Sequence, residues 1–194
     1  MLRFFKKAEE VNRETNYSLK VSTPHDAAEI HGAMQIIYAD FDINMKHDMN
    51  IGLNHFNIIT MKDDLNINIL CVGEATGKKV YDIYHLVTNK HKNTKVNIIF
   101  KAVSRDSSKI VYRSDIVCMK GASGSGAQTA KFILDSAESE IDVIPSLDIN
   151  SKEMPTTHAA SIGGVDKDLI WYSALHGLDK ISAKDMIIDG FLNK

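Results

Sequence analysis

Residues 94–118 have the sequence TKVNIIFKAVSRDSSKIVYRSDIVC, and this stretch decides the fold. Its two outer runs alternate apolar and polar side chains, as β-strands with one buried face do. The residues between them, SRDSS, are short and polar and favour a turn. The stretch therefore predicts two consecutive strands joined by a tight corner.

The same alternation continues on both sides of this stretch. Further runs are HFNIIT (55–60), LNINILCV (65–72), VYDIYHLV (80–87), TAKFILD (129–135) and EIDVI (140–144), separated by turn-forming segments such as GEATGKK, NKHKN and KGASGSGA. Many short strands with such turns predict a mainly-β domain, either a sandwich, a barrel or a solenoid. No strict repeat is visible, but no Asn-Gly or Asp-Gly hairpin turn lies between the runs, which favours the solenoid.

Helical periodicity flanks the strand-rich region on its N-terminal side. Residues 1 to about 15 predict a short amphipathic helix, and a second one is predicted to open at Pro24 and Asp26, with apolar residues at helical spacing as far as Ile37. The sequence thus predicts an N-terminal helical segment over residues 1–50 and a β core over residues 51–160.

Residues 161–194 predict a pair of helices. Asp166 is placed to cap the first helix and Gly177 to end it, and Ser182 with Asp185 resembles a capping box for the second. Neither helix is long enough to be stable alone, so both must pack on the domain, on a partner, or on both. The apolar residues predicted to bind a partner are Leu169, Tyr172, Leu175, Met186, Ile187 and Phe191.

The composition excludes several classes of function. The 194 residues carry a net charge of -2 and no Lys/Arg block, so nucleic-acid binding is not indicated. The N-terminus has no apolar run long enough for a signal peptide or a membrane span, and Cys71 and Cys118 form no CxxC pair. These features predict a soluble cytoplasmic protein without disulfides, in which both cysteines are buried structural thiols.

One histidine stands out as a candidate ligand. His158 lies among threonines and small residues, and Glu138, Glu140, Asp142 and Asp148 precede it. Histidine with carboxylates suits iron or zinc, provided that the strands fold back together. The other histidines, including His47, His55 and His85, have no metal-type spacing and are expected at the surface or half-buried.

Four stretches are informative together: SRDSSKIVYRSDI, GAQTAKFILDSAESEIDVIPSLDI, THAASIGGVDKDLIWYSALHGLDKISA and MIIDGFLN. They lie in the run from about Ser104 to the C-terminus, about half of the chain, and this run resembles the SufB/SufD family, the scaffold subunits of iron–sulfur cluster assembly. Residues 1 to about 50 are far shorter than the N-terminal regions of typical members, so a minimal form of the family is expected.

The resemblance implies a right-handed parallel β-helix, flanked by helices, that acts as a non-catalytic scaffold. It also implies that the C-terminal helices dock onto an ABC-type ATPase (SufC-like), so that ATP acts only through this partner. Two β-helix subunits would pair, as a homodimer or with a second SufB/SufD-type subunit, and a transient iron–sulfur cluster would form near their interface.

The same resemblance places His158 at the family histidine implicated in cluster formation. The segment Glu138–Ile144 lacks the functional cysteine of SufB, and Thr157 and Ala159 replace the glutamates that flank the SufB histidine, so this block is more similar to SufD. A homodimer that uses His158 with Glu140 or Asp142 is the resulting hypothesis for the ligands. Two alternatives stay open: a β-solenoid enzyme whose carboxylates between Glu138 and Asp148 cleave a glycan, and a structural subunit that supplies no ligands.

Overall fold

The chain folds as a parallel β-solenoid that carries two helices at its C-terminal end. The structure is a computed structural model, and it describes residues 17–18, 35–49 and 52–193. Two parallel sheets face each other, and successive strands alternate between them. The solenoid is therefore confirmed over the sandwich and the barrel.

The first sheet has six strands and the second has five. In hydrogen-bonding order, the first consists of β1 (Tyr17–Ser18), β3 (Ile43–Asp48), β5 (Asn66–Ala75), β7 (Thr94–Ser104), β9 (Gly124–Leu134) and β11 (Thr156–Gly163). The second consists of β10 (Glu140–Ile149), β8 (Lys109–Cys118), β6 (Val80–Asn89), β4 (Gly52–Thr60) and β2 (Gln35–Ala39). The helices are α1 (Lys167–Leu175) and α2 (Lys180–Leu192).

Each strand pairs in parallel with the strand one coil earlier, so side chains stack in rows. Ile67 lies beside Ile43 and Ile98 lies beside Ile69, and all four side chains are buried in one apolar core. Outside the first sheet, the Asn68 amide donates to Asn44 Oδ1 at 3.0 Å, across a separation of 24 residues. Because parallel strands keep one face inward at every second residue, each row is uniformly interior or uniformly exterior.

The corners between strands also stack on one another. Asp64 and Asn93 adopt left-handed backbone conformations, with φ of 60° and 52°, and Asn93 Nδ2 donates to Asp64 Oδ1 at 2.7 Å. Asparagine and aspartate tolerate this conformation because their short polar side chains bond locally. The turn-forming segment NKHKN therefore stabilises its own corner and, through Asn93, the neighbouring corner.

The described part of the N-terminal segment is not helical, which corrects the prediction there. Ile37, placed at helical spacing by the sequence, lies in β2, and residues 43–48 form β3. The short stretch QIIYA pairs in parallel with β4, and this tertiary pairing overrides a weak local period. The first predicted helix, the start of the second, and His25 and His31 lie outside the described residues.

The two C-terminal helices are confirmed, with one change of boundary. The Asp166 side chain accepts the backbone N–H of Asp168 at 2.8 Å and so caps α1 as predicted. The cap of α2 is Asp179, which accepts from the backbone N–H groups of Ile181 and Ser182, so Ser182 already lies inside the helix. The incomplete capping box at Ser182 was thus a wrong indication of the helix start.

Gly124, the first residue of β9, is enclosed by the neighbouring coil. Its φ is +144°, and a Cβ atom at this position would lie 1.8 Å from the backbone oxygen of Thr94. The stacking of β9 on β7 therefore requires a residue without a side chain here.

We expect Gly124→Ala to lower the free energy of unfolding by about 2 kcal/mol or more, through backbone strain and overpacking. Urea denaturation would measure the change. Gly190→Ala is the matched control, because Gly190 lies in α2 with no atom within 4 Å of an added Cβ. It should raise the stability slightly, and equal effects of the two substitutions would contradict the assigned packing.

Candidate functional site

The C-terminal end of the solenoid leaves its interior incompletely covered. β10 and β11 are the edge strands of the two sheets at this end. The inward residues Ile141 and Val143 of β10 are only partly buried, and Ile162 of β11 is 46% exposed. Edge strands with exposed apolar side chains are prone to pair with another chain.

His158 lies on this uncovered end. It pairs in register with Gln128, whose buried side-chain amide donates to the backbone oxygens of Ser114 and Ser146. His158 therefore continues the interior row that contains Gln128, yet it is exposed because no strand follows β11 in the sheet. An interior position at an open end makes the imidazole available to an incoming ligand.

Glu140 and Asp142 lie on a different face. Both are exposed on the outer side of β10, and the Lys109 ammonium bridges them at 3.0 and 2.9 Å. These hydrogen bonds, the one to Asp142 first, raise the pKa of Lys109. Because His158 belongs to an interior row and these carboxylates to an exterior one, a single chain does not bring the three together.

The helix pair presents an apolar surface. Four of the predicted partner-binding residues are about half exposed or more: Leu169, Tyr172, Leu175 and Met186. Trp171 and Ile181, at 66% and 74% exposure, extend the same helices and were not among the predicted contacts. No helix in the described part of the chain is long and apolar enough to cross a membrane.

The other two predicted contacts lie closer to the body of the protein. Phe191 is partly buried and packs on a small core formed by Ile188 of α2 with Val103 and Ile133 of the solenoid. Ile187 is partly buried. The α2 helix therefore anchors the pair, whereas only Ser173 is buried in α1.

A network of charges fixes α2 to the solenoid. Asp135, with 7% of its side chain exposed, accepts from Lys184 at 2.6 Å and lies 3.5 Å from Arg105. Arg105 also bonds Asp185 at 2.9 Å and contacts Glu74. This network joins α2 to two coils of the solenoid.

The interior holds a second cluster of ligand-type side chains, which the sequence prediction missed. His47, Cys71 and His85 are all buried, and their ligand atoms lie within 4.8 Å of one another. It is the one group of at least three such residues among those that the structure describes. Cys71 is buried as predicted, but His47 and His85 are 4% and 0% exposed and are core residues.

The register explains this cluster. Cys71 pairs directly with His47 across β5 and β3, while His85 projects inward from β6 in the opposite sheet. The alternation of LNINILCV predicted a buried Cys71, but His85 in VYDIYHLV was expected at the surface or half-buried, and that expectation is wrong. The sequence does not show which coils pair, so it did not show that Cys71 and His85 lie close to each other and to His47.

The chain is thus a parallel β-solenoid with an uncovered end and an exposed apolar helix pair. Residues 22–191 match the family model described as the SufBD core domain of the SUF system of FeS cluster assembly. The chain therefore belongs to the SufBD family.

Curated relatives agree with this assignment. An iron-sulfur cluster assembly SufBD family protein of Staphylococcus saprophyticus is 27% identical over 151 residues, which are 75% of this chain and 32% of the relative. Proteins of the same description from Staphylococcus epidermidis and Staphylococcus aureus are 25% identical over the same shares. The chain thus spans about a third of the length of these relatives.

We expect Asp135→Asn to destabilise the attachment of α2, because it removes the charge that Lys184 and Arg105 share. The free energy of unfolding should fall by about 1–3 kcal/mol, and amide exchange in α2 should accelerate. The isosteric control is Asp142→Asn, whose ion pair with Lys109 is exposed and should leave the stability within error. Equal losses in both variants would contradict the anchoring role of Asp135.

Proposed function

We propose that this chain is a cytoplasmic scaffold for iron–sulfur cluster assembly. It binds an ABC-type ATPase of the SufC kind through its C-terminal helices and forms the nascent cluster near the interface of a β-solenoid dimer. The proposal rests on one observation: this member of the SufBD family has two uncovered surfaces, which are the solenoid end with His158 and the helix pair.

The uncovered end supports the dimer. Two sheet edges, β10 and β11, lie at the same end of the solenoid, so a second copy can extend both sheets and cover Ile162. Extension of a sheet satisfies backbone groups that would otherwise need water. A homodimer related by a twofold axis would bring the two copies of β11, and with them both His158 side chains, toward one interface.

His158 is the proposed cluster ligand. Imidazole binds iron, and an exposed ligand at an interface can release what it holds. Glu140 and Asp142 face outward in their own chain and would contribute only from the partner's side of the interface. The assembling iron and sulfide are thus substrates of the scaffold, held for transfer.

The helix pair is the proposed ATPase-binding surface. Its exposed aromatic and aliphatic side chains, Trp171 and Tyr172 among them, are of the types that dominate the energetics of protein interfaces. ATP would act only through the partner, whose change of state would pull on α2. The Arg105–Asp135–Lys184 network would carry this motion to the solenoid end.

We expect Tyr172→Glu and Leu175→Glu each to weaken binding of the SufC-type ATPase from the same organism about tenfold or more, because both place a charge in an apolar interface. Calorimetric titration of the full chain with the ATPase would measure this. Val80→Glu is the control, since Val80 is similarly exposed (54%) but lies on the solenoid. Unchanged affinity in both helix variants, or loss only with Val80→Glu, would contradict the docking site.

We expect His158→Ala to lower the yield of cluster in anaerobic reconstitution with iron and sulfide, because it removes an interface ligand. Iron and sulfide per chain and the visible spectrum report the yield. His91→Ala is the control, since His91 lies at a solenoid corner beside Asp63. Equal cluster yields in His158→Ala and the unmodified chain would remove His158 from the mechanism.

A second variant separates the ligand from the interface. Ile162→Lys should convert the dimer to a monomer in sedimentation and reduce the cluster yield with it. A dimer that persists in this variant would contradict the proposed interface. A dimer that forms without any bound iron would instead favour the structural subunit that supplies no ligands.

A further inference from the structure

The cluster of His47, Cys71 and His85 has a defined hydrogen-bond network. His47 Nδ1 lies 3.3 Å from the backbone oxygen of Asp48, which can only accept, so this nitrogen carries the proton of the neutral ring. His47 Nε2 is then an acceptor, and it lies 2.8 Å from His85 Nε2, which must donate. His85 Nδ1 is left as an acceptor that faces the Tyr112 hydroxyl at 3.5 Å.

In this network a proton lies between the two Nε2 atoms, at the position where a metal ion would bind. In metal sites, a histidine that binds through one nitrogen donates its other N–H to a carbonyl or another oxygen. His47 already does so toward Asp48, and His85 would do so toward Tyr112 once its proton moved from Nε2 to Nδ1. The bare Nε2 atoms and the Cys71 sulfur would then face one point.

We propose that the solenoid interior binds one thiophilic divalent cation, of the Zn²⁺ or Fe²⁺ type, through His47 Nε2, Cys71 Sγ and His85 Nε2. Two imidazoles and one thiolate form a donor set suited to such ions. Binding breaks the Cys71 S–H bond and releases that proton, while His85 keeps its proton on Nδ1. The fourth position would be open to water or to an exogenous ligand.

The distances are compatible with this site. Metal–nitrogen bonds of about 2.0–2.1 Å in a tetrahedron place two nitrogens about 3.3 Å apart. The two Nε2 atoms, now 2.8 Å apart, would separate by about half an ångström. Cys71 Sγ is already within 4.8 Å of both, so small side-chain rotations bring all three atoms to one ion.

Aromatic rings enclose the three ligand side chains. The Phe56 ring lies tilted against His47 at 4.8 Å between ring centroids, and Phe100 and Tyr112 flank His85 at 6.5 and 5.7 Å. The site is therefore shielded from bulk solvent, in keeping with the burial of His47, Cys71 and His85.

Neighbouring coils carry no ligand-type residues at these positions. In the row of Cys71 the next residues are Phe100 and Ala130, and in the row of His85 the neighbours are Phe56 and Ser114. Buried polar groups cost stability unless they are paired. The fold therefore does not itself require two histidines and a cysteine here, and a bound ion would satisfy all three.

The test measures metal in the purified chain. Protein expressed in medium supplied with zinc or with iron, and purified without oxygen, should contain about one equivalent of the supplied ion per chain. Cys71→Ala should lose at least nine-tenths of it. Cys118→Ala, which removes the other buried cysteine, should keep it. Metal retained by Cys71→Ala, or no metal in the unmodified chain from either medium, would overturn the proposal.

A measurement on the unmodified protein covers the case in which Cys71→Ala does not fold. X-ray absorption at the metal edge should show one sulfur and two imidazole neighbours, and a shell of oxygen atoms alone would overturn the site. The proposal does not depend on the proposed function. The ion should persist in His158→Ala and in Ile162→Lys, which alter only the cluster and the dimer, and its loss in these variants would place the metal at the solenoid end instead.

Discussion

The parallel, in-register stacking of coils is the constraint on which the rest of this structure depends. Each strand bonds the strand one coil away, so every side chain has fixed neighbours above and below in its row. If the first residues of a row are buried, every later residue of that row must also be one that can be buried, until the solenoid ends. Two kinds of site follow from this rule: polar residues placed within an interior row, and interior positions that become exposed where the stacking stops.

The sequence predicted the strands well because alternation is a local property. It did not predict the rows, because the coils differ in length. Asn44 and Asn68 stack across 24 residues, Thr60 and Asn89 across 29, and Lys109 and Glu140 across 31, which hides any strict repeat. Without the coil length, the neighbours of Cys71 and His85 cannot be inferred. This is why the interior cluster was not predicted. Cys71 and His85 had been assigned to strands, but His47 had been placed in the N-terminal helical segment.

Errors at the termini have the same origin. QIIYA contains three strand-favouring residues, but it is only five residues long and the helical spacing that leads up to Ile37 outweighed them; its pairing with β4 decides its conformation. Helix caps depend on local sequence, so the Asp166 cap was predictable. Asp179, and not Ser182, caps α2 because its carboxylate accepts hydrogen bonds from two backbone N–H groups at the start of the helix. The family resemblance identified His158, but only the register shows that it ends an interior row while Glu140 and Asp142 end an exterior one.

The positions of the two sites on the solenoid lead to different kinetics. His158 is exposed on an edge strand, so a ligand held there as proposed would depend on the partner surface and would leave when that surface moved. His47, Cys71 and His85 are enclosed by rings on neighbouring coils, so an ion there can exchange only when coils open, and it is held for as long as the core is intact. The proposed transferable cluster fits the first environment, and the proposed resident ion fits the second. The same stacking rule thus produces an exposed position at the end of the rows and an enclosed one within them.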